Sequence, residues 1–323
     1  MSSVAQVESS FLRQVALPAL LAAQNSDGGW GFSTESKSAV EPTSWGLLAI
    51  SGTDANHSRA RRECRAARFL KRAQLPEGSW PAVVGQKEGG WVTSLACMAL
   101  RASEGASPVT DRALEWLCRE WPGEGDLWWR IRRRLSGDTR REQPSDRLRG
   151  WSWTRGTSSW VEPTSHALLA LRGARLSPAT LRRARRRREL GQKMLCNRTC
   201  PGGGWNCGNT AVYGAAGRPL VGPTAWALLA LGEFAEQPGV KDCVRLSLDW
   251  LERGSDEIRG PGSLALAHLC LRAFGRAAGS LDSQLFARCE GGRFLRQIPV
   301  LAWITLALQP SPDWLRPGNF ESV

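Results

Sequence analysis

A short apolar segment recurs along the chain, and this repeat is the feature that most restricts the fold. Four copies read PTSWGLLAI, VTSLACMAL, PTSHALLAL and PTAWALLAL, aligned on Thr43, Thr93, Thr164 and Thr224. Six and seven positions after each threonine stand an alanine and an aliphatic residue. A fifth copy, LAWITLAL, ends at Leu308, and a degenerate sixth covers Gly262–Leu271. The aligned threonines lie about 50 to 70 residues apart, so the chain is built from repeats.

Each copy is apolar nearly all round, which predicts a helix buried on every side. Threonine or serine after proline or valine suits the start of such a helix. An amphipathic stretch that carries the charges lies upstream of each copy and predicts an outer helix. The predicted outer helices cover Val4–Gln24, Arg59–Gln74, Thr110–Glu120, Leu181–Cys196, Val240–Glu252 and Leu281–Cys289. Six outer–inner hairpins cannot bury their apolar faces alone, so we expect them to close on one another as a ring.

Turns rich in glycine and tryptophan separate the predicted outer and inner helices. The strings QNSDGGW, from Gln24 to Trp30, and QLPEGSW, from Gln74 to Trp80, both match the Gln-x-x-x-Gly-x-Trp repeat typical of squalene and oxidosqualene cyclases. The chain therefore resembles the prenyltransferase and squalene-cyclase repeat superfamily. This resemblance implies an all-α (α/α)6 toroid of six hairpins with Gly/Trp turns and a central cavity for an isoprenoid. With 323 residues, we expect a single toroid domain over 1–323, without the second barrel of full squalene cyclases.

The composition bounds the class of protein. The chain is 42% hydrophobic and 23% charged, which predicts a globular fold. Its apolar runs are far shorter than the roughly 20 residues of a membrane span, and its first residues lack the apolar region of a secretion signal. Nine scattered cysteines, an odd number, favour reduced thiols over a disulfide framework. These features predict a cytoplasmic protein.

The net charge of +13 arises largely from two arginine-rich stretches, Arg130–Arg134 and Arg182–Arg188. One interpretation is a solvated outer helix face; the other is a patch for anions or for peripheral contact with a membrane surface. Nucleic-acid binding needs basic residues interleaved with exposed aromatic ones. Because the tryptophans lie in turns and in predicted buried helices, we expect no nucleic-acid partner.

The resemblance directs attention to the residue two positions before the aligned threonine. In class II terpene cyclases, the proton-donating aspartate of an Asp-rich motif has this position at the start of an inner helix. The same offset here gives Glu41 and Glu162, both within a Val-Glu-Pro-Thr-Ser string. Pro42 and Pro163 replace the adjacent acid of the family motif. The other interpretation is a helix-capping role, because the helix dipole stabilises a lone glutamate there as the anion.

His166 follows Glu162 by four residues, so the two side chains share one helix face. Such a pair in an apolar cavity can exchange protons as acid or base. We therefore treat Glu41, Glu162 and His166 as the candidate catalytic residues. A buried histidine that serves only packing is the other interpretation.

Tryptophans supply the candidate substrate-binding residues. Trp45, Trp226 and Trp303 share the repeat position of His166. Trp45 and Trp226, with Trp91 and Trp160 near helix starts, are expected to line a hydrophobic bore and to stabilise carbocations by cation–π attraction. A purely packing role is the alternative for this set, and it is the expectation for the tryptophans of the Gly/Trp turns, Trp30, Trp80 and Trp205.

No metal or other cofactor is expected. The zinc-binding prenyltransferases of the same superfamily use Asp, Cys and His, whereas the C-terminal repeats here offer His268 and Cys270 without a matching acid. Cys196, Cys200 and Cys207 have a spacing that can hold Zn²⁺ or a cluster, although small turn and core residues are the favoured interpretation.

Together these features predict a terpene cyclase-like protein that binds or cyclises a linear isoprenoid in a Trp-lined cavity. If it is active, its reaction is a proton-initiated isomerisation with a non-standard acid motif. The alternative is a non-catalytic toroid that acts as a lipid-binding or protein-interaction scaffold.

Overall fold

The computed structural model describes residues 10–51, 57–123, 148–208, 211–212, 215–276, 281–288, 292–310 and 315. Twelve α-helices lie within these ranges. They are α1 (Leu17–Ala22), α2 (Val40–Ser51), α3 (His57–Ala73), α4 (Val92–Glu104), α5 (Pro108–Arg119), α6 (Val161–Leu171), α7 (Pro178–Asn197), α8 (Val221–Leu231), α9 (Lys241–Arg253), α10 (Pro261–Ala273), α11 (Leu281–Ala287) and α12 (Ile298–Leu308). A π-helical turn, Leu12–Ala16, leads into α1.

These helices contain more than half of the described residues. The β-structure of the described residues is one antiparallel pair of two-residue strands, Ala211–Val212 and Ala215–Ala216, with a few isolated bridges. The predicted all-α fold class is therefore confirmed.

The even-numbered helices form a closed inner ring. Each of them packs against the next one in chain order, and α12 packs back against α2. The odd-numbered helices lie outside and pack against their inner neighbours. The inner helices that carry the aligned threonines begin at Val40, Val92, Val161 and Val221, one to three residues before each threonine. The structure thus confirms the (α/α)6 toroid.

The aligned threonines do not cap their own helices. Each threonine hydroxyl accepts a hydrogen bond from the backbone N–H of a tryptophan in the preceding turn. The pairs are Trp30–Thr43 (2.9 Å), Trp80–Thr93 (3.0 Å), Trp151–Thr164 (2.9 Å) and Trp205–Thr224 (2.8 Å). A buried backbone donor needs such a partner, which explains a buried hydroxyl at this repeat position.

The same tryptophans anchor each turn to an outer helix. Their indole N–H groups donate to carbonyl oxygens near the ends of these helices, at Leu20 (2.8 Å), Leu70 (2.7 Å), Leu117 (3.0 Å) and Leu195 (2.7 Å). Trp30, Trp80 and Trp205 are fully buried, so their predicted packing role agrees with their position.

The Gln-x-x-x-Gly-x-Trp repeat joins neighbouring hairpins. The side-chain amide of Gln74 donates to the carbonyl oxygens of Gly78 (2.9 Å) and Val109 (2.9 Å), the second of which lies in the next outer helix. Gly78 has a φ of +100°, and a Cβ there would stand 2.7 Å from the Arg112 carbonyl oxygen. Only glycine suits this turn, because it tolerates both the positive φ and the close backbone approach.

Side chains at the C-terminal ends of the inner helices form a second set of links, which we call the C-terminal clasp. Arg101, Arg172, Arg272 and Gln309 occupy the position after the last repeat residue and donate to carbonyl oxygens of the next inner helix around the ring, or of the residues just after it. Their acceptors are respectively Ala170 (2.7 Å), Leu229 (2.6 Å), Ala307 (2.8 Å) and Ala49 (2.9 Å). Each link gives a donor to a carbonyl in the last turn of an inner helix, where intrahelical donors run out.

The basic stretch Arg182–Arg188 lies in α7 and is only partly on the surface. Arg187 is 1% exposed, packs between the rings of Trp121 (4.3 Å) and Trp151 (3.9 Å), and donates to the Gly150 carbonyl oxygen (2.8 Å). The expectation that the whole stretch is a surface feature is therefore wrong at Arg187, where cation–π contacts replace solvent. The other stretch, Arg130–Arg134, lies outside the described residues.

None of the described helices combines the length and the apolar character that a bilayer crossing requires. Membrane contact through the exposed arginines of α7 stays a prediction. Salt-dependent binding to anionic liposomes is its test, because salt screens exposed charges over about 10 Å at 0.1 M.

Candidate active site at the mouth of the ring

The repeat places four residues around the N-terminal end of the inner ring, which we call the mouth. Two positions before the aligned threonines stand Glu41, Trp91, Glu162 and Gly222, at the starts of four consecutive inner helices. A Cβ on Gly222 would stand 4.0 Å from Glu162 Oε1, so the glycine leaves space beside this carboxylate. The mouth thus carries two acids, one aromatic ring and one gap.

The carboxyl groups of Glu41 and Glu162 interact although one helix lies between α2 and α6. Burial and, as the smaller cause, the negative charge of the nearby Glu162 together raise the pKa of Glu41 to about 7. Burial also raises the pKa of Glu162. Two carboxylates that share a poorly solvated site cannot both ionise easily, so the pair retains a proton near neutral pH. The sequence predicted the two acids but not their electrostatic interaction.

An aromatic layer lies one helical turn below the mouth. His166 is 3% exposed and is surrounded by Trp45 (5.5 Å between ring centroids), Trp226 (5.0 Å) and Trp91 (6.0 Å). Trp303 meets Trp45 edge-on at 6.0 Å. Trp45, His166, Trp226 and Trp303 share one repeat position on four inner helices, whereas Trp91 comes from the residue just before α4.

His166 and Glu162 are not joined by a hydrogen bond. Both ring nitrogens of His166 are buried without a hydrogen-bond partner, and burial lowers its pKa to about 3. The imidazole is therefore neutral at physiological pH. Its spacing from Glu162 allows a dyad, but the tryptophans enclose the ring instead.

The aromatic layer fills the centre of the ring at its own level. Trp45 and Trp226 belong to opposite inner helices, α2 and α8, yet their rings stack at 5.0 Å with an interplanar angle of 26°. They contact each other across the axis rather than lining an open channel. The Nε1 atom of Trp303 is buried there without a hydrogen-bond partner.

The two remaining candidate tryptophans, Trp91 and Trp160, differ in position. Trp91 lies between the two acids along the mouth and packs edge-on against Trp153 at 4.5 Å. Trp160 lies outside the cluster: it is 37% exposed, and a Cβ on Gly208 would stand 3.1 Å from its ring. Trp303 and Trp153 join the cluster although neither was among the candidate site residues. The repeat register indicates Trp303, whereas no sequence signal marks Trp153.

Cysteines of the predicted cluster do not gather around one point. Within the described part of the chain, no group of three or more His, Cys, Asp or Glu side chains is placed to hold a metal ion. Cys196 shares a thiol hydrogen bond with Cys243, whose Sγ lies 3.1 Å from Thr199 Oγ1. Cys200 and Cys207 show no such contact with Cys196.

No protein-family model matches the chain, and no curated protein matches it. Among solved structures, a protein from Actinoplanes is similar with a TM-score of 0.58 and 17% identity, over 93% of this chain and 98% of that chain. The type II terpene cyclase MstE from Scytonema, in complex with its substrate geranylgeranyl dihydroxybenzoate, gives a TM-score of 0.39 and 15% identity, over 95% and 99%. A part of α2-macroglobulin from Escherichia coli gives a TM-score of 0.48 and 13% identity, over 91% of this chain and 42% of that chain. At these identities, the likeness to the Actinoplanes protein shows a shared fold and leaves the activity open.

Proposed function

We propose that this protein binds a linear isoprenoid at the mouth of the toroid and protonates it to start cyclisation or double-bond isomerisation. The observation that carries the proposal is the Glu41–Glu162 pair. A general acid must hold a proton at the working pH, and the mutual repulsion and burial of two carboxyl groups provide that proton. The pair supplies from two repeats the clustering of acids that neither Val-Glu-Pro-Thr-Ser string contains alone.

The chemistry balances within the site. Glu41 gives its carboxyl proton to one carbon of a double bond, which leaves a carbocation on the substrate and a carboxylate on Glu41. The faces of Trp91 and Trp226 stabilise the positive charge. The carbocation then loses a proton from a neighbouring carbon back to the Glu41 carboxylate, so a new double bond forms and the acid is restored. The product has the mass of the substrate, so the reaction is an isomerisation.

The experiment is incubation with geranylgeraniol or squalene, followed by gas chromatography and mass spectrometry for a product of unchanged mass. We expect Glu162→Gln to lower the rate on the order of 10²-fold or more, because Gln keeps the shape of the side chain but removes one carboxyl group of the pair that holds the proton. Glu189→Gln, an exposed substitution on α7, is the control and should keep the wild-type rate. An unchanged rate in Glu162→Gln would remove this residue from the mechanism.

The second candidate function is a non-catalytic lipid-binding scaffold. The stacking of Trp45 on Trp226 favours it over cyclisation, because rings that fill the centre leave no cavity in which a long chain could fold, whereas an unreacted chain can bind at the mouth. Native mass spectrometry of the protein purified from its host separates the two functions. A bound isoprenoid that is recovered unchanged after long incubation supports the scaffold, whereas a bound cyclised isomer supports the enzyme.

A further inference from the structure

A groove of about 560 Å³ lies outside the mouth, between the starts of α8 and α10 and the last turn of α9. Its volume falls within the range of about 300 to 1,000 Å³ that is typical of small-molecule sites. It belongs to neither the Glu41–Glu162 pair nor the aromatic layer, since none of these side chains lines it.

One wall of the groove is apolar. Leu220, Val221, Trp250, Leu251 and Ile258 line it, and Leu220 is 48% exposed although it directly precedes a buried helix. The exposed Leu220 and the recessed apolar wall together form a surface that an apolar chain can cover. Burial of such surface gains roughly 25 cal/mol per Å².

The rim of the groove carries two arginines that lack acidic partners. Arg253 donates its Nε to the Asp249 carbonyl oxygen at 3.1 Å, a bond that engages none of its terminal nitrogens. Arg259 is exposed at the same rim. Among the described residues, neither guanidinium forms an ion pair with a carboxylate, whereas Arg245, on the same helix as Arg253, lies 3.5 Å from Asp242.

The charge of the groove distinguishes between classes of anion. Arg253, Arg259 and Glu257 are its charged lining residues, so it carries a net charge of +1. The start of α10 adds the positive end of a helix dipole, and the Ser263 hydroxyl stands beside it. A single carboxylate matches this charge, whereas a diphosphate exceeds it.

We propose that this groove binds a monoanionic amphiphile, an apolar chain that ends in one carboxylate. The chain lies on Leu220 and Trp250, and the carboxylate lies between Arg253 and Arg259, where guanidinium groups can form charge-assisted hydrogen bonds. This site is separate from the mouth, so the proposal stands whether or not the Glu41–Glu162 pair is catalytic.

Isothermal titration of the full chain with decanoate and with decanol tests the proposal, because the two probes differ only in the head group. We expect decanoate to bind at least tenfold more tightly than decanol. The double variant Arg253→Gln/Arg259→Gln should weaken decanoate binding at least tenfold and leave decanol binding unchanged. Arg245→Gln is the matched control, since it removes an exposed arginine of α9 that does not line the groove, and it should bind decanoate as the wild type does.

A second variant tests the apolar wall by filling the groove. A Cβ on Gly260 would meet only Ser263 Oγ, at 3.8 Å, so Gly260→Phe introduces a ring without a backbone clash. It should abolish the binding of both probes while the thermal unfolding midpoint stays near the wild-type value. Equal affinities for decanoate and decanol, full decanoate binding by the double variant, or retained binding by Gly260→Phe would each overturn the proposal.

Discussion

Gln309 donates its side-chain amide to the carbonyl oxygen of Ala49 at 2.9 Å, across 260 positions of the chain. The bond joins the last inner helix to the first and closes the C-terminal clasp where the ring itself closes. Its two partners are buried, and the acceptor is one of the carbonyls that the end of α2 leaves without an intrahelical donor.

We therefore expect Gln309→Met to destabilise the protein by about 1 to 2 kcal/mol, because the Ala49 carbonyl stays buried but loses its donor. Chemical denaturation with urea gives the difference in unfolding free energy. Gln192→Met is the matched control: it removes an exposed amide hydrogen bond to Gln237 and should cost less than about 0.5 kcal/mol. Equal effects of the two substitutions would contradict a specific role for the ring-closing bond.

Two glycines with similar backbone angles test the Gln-x-x-x-Gly-x-Trp turn. Gly78 (φ +100°) would place a Cβ 2.7 Å from the Arg112 carbonyl oxygen, whereas a Cβ on Gly85 (φ +95°) would meet nothing within 4 Å. Gly85→Ala should cost only the conformational strain of a positive φ, about 1 kcal/mol. Gly78→Ala should cost at least twice as much, because the backbone of α5 must also move. Thermal or urea unfolding of the pair measures the difference.

The raised pKa of Glu41 makes stability depend on pH. Its folded value of about 7 lies above its ordinary value of 4.5, so the folded state binds more protons and loses stability as the pH rises from about 4.5 to about 7. Glu41→Gln should therefore be more stable than the wild type by about 3 kcal/mol at pH 8, and this gain should vanish below pH 4.5. Urea unfolding from pH 4 to pH 8 measures it.

The control for this experiment is Glu189→Gln, which changes an exposed carboxylate that Lys193 holds at 2.6 Å. This partner lowers the pKa of Glu189, so Glu189 is ionised between pH 5 and pH 8. The difference in unfolding free energy between Glu189→Gln and the wild type should therefore stay constant over this range. If the difference in unfolding free energy between Glu41→Gln and the wild type is also independent of pH, the two carboxyl groups at the mouth do not share a proton.

The lowered pKa of His166 makes the stability of the protein depend on pH in the opposite direction. Its folded pKa of about 3 lies below its ordinary value of 6.5, so protonation favours the unfolded chain as the pH falls from 6.5 towards 3. The unfolding free energy of His166→Phe relative to the wild type should rise by about 2 kcal/mol as the pH falls from 7 to 5, because Phe fits the same aromatic surroundings and takes up no proton. His57→Asn, an exposed substitution, should show no comparable growth.

The sequence predicts the ring itself well, since the buried helices, the outer helices and their number follow from apolar periodicity and repeat register. It also predicts that these helices start near the aligned threonines, but it misses the role of the hydroxyl groups, because the local pattern cannot show that Thr43 accepts from the backbone of Trp30 thirteen residues earlier. The C-terminal clasp is also missed, since an arginine that follows an apolar helix, such as Arg172, has the sequence pattern of a solvated residue.

The candidate site is predicted in part. The residue types at the mouth follow from repeat register, which identifies Glu41 and Glu162 as equivalent positions. Their electrostatic interaction depends on the curvature of the ring, which no local pattern contains. The expected partnership of Glu162 with His166 fails for a related reason: i, i+4 spacing places two side chains on one face, but the tryptophans from the neighbouring helices enclose the imidazole.

The aromatic layer separates two functions along the axis of the toroid. Glu162 and Arg172 stand ten residues apart, with Arg172 directly after the end of α6, so roughly 15 Å of helix lies between the acids and the clasp. Substitutions of Glu41 or Glu162 can therefore alter acidity or ligand preference without weakening the C-terminal clasp. The carboxyl pair and the clasp can be changed independently of each other.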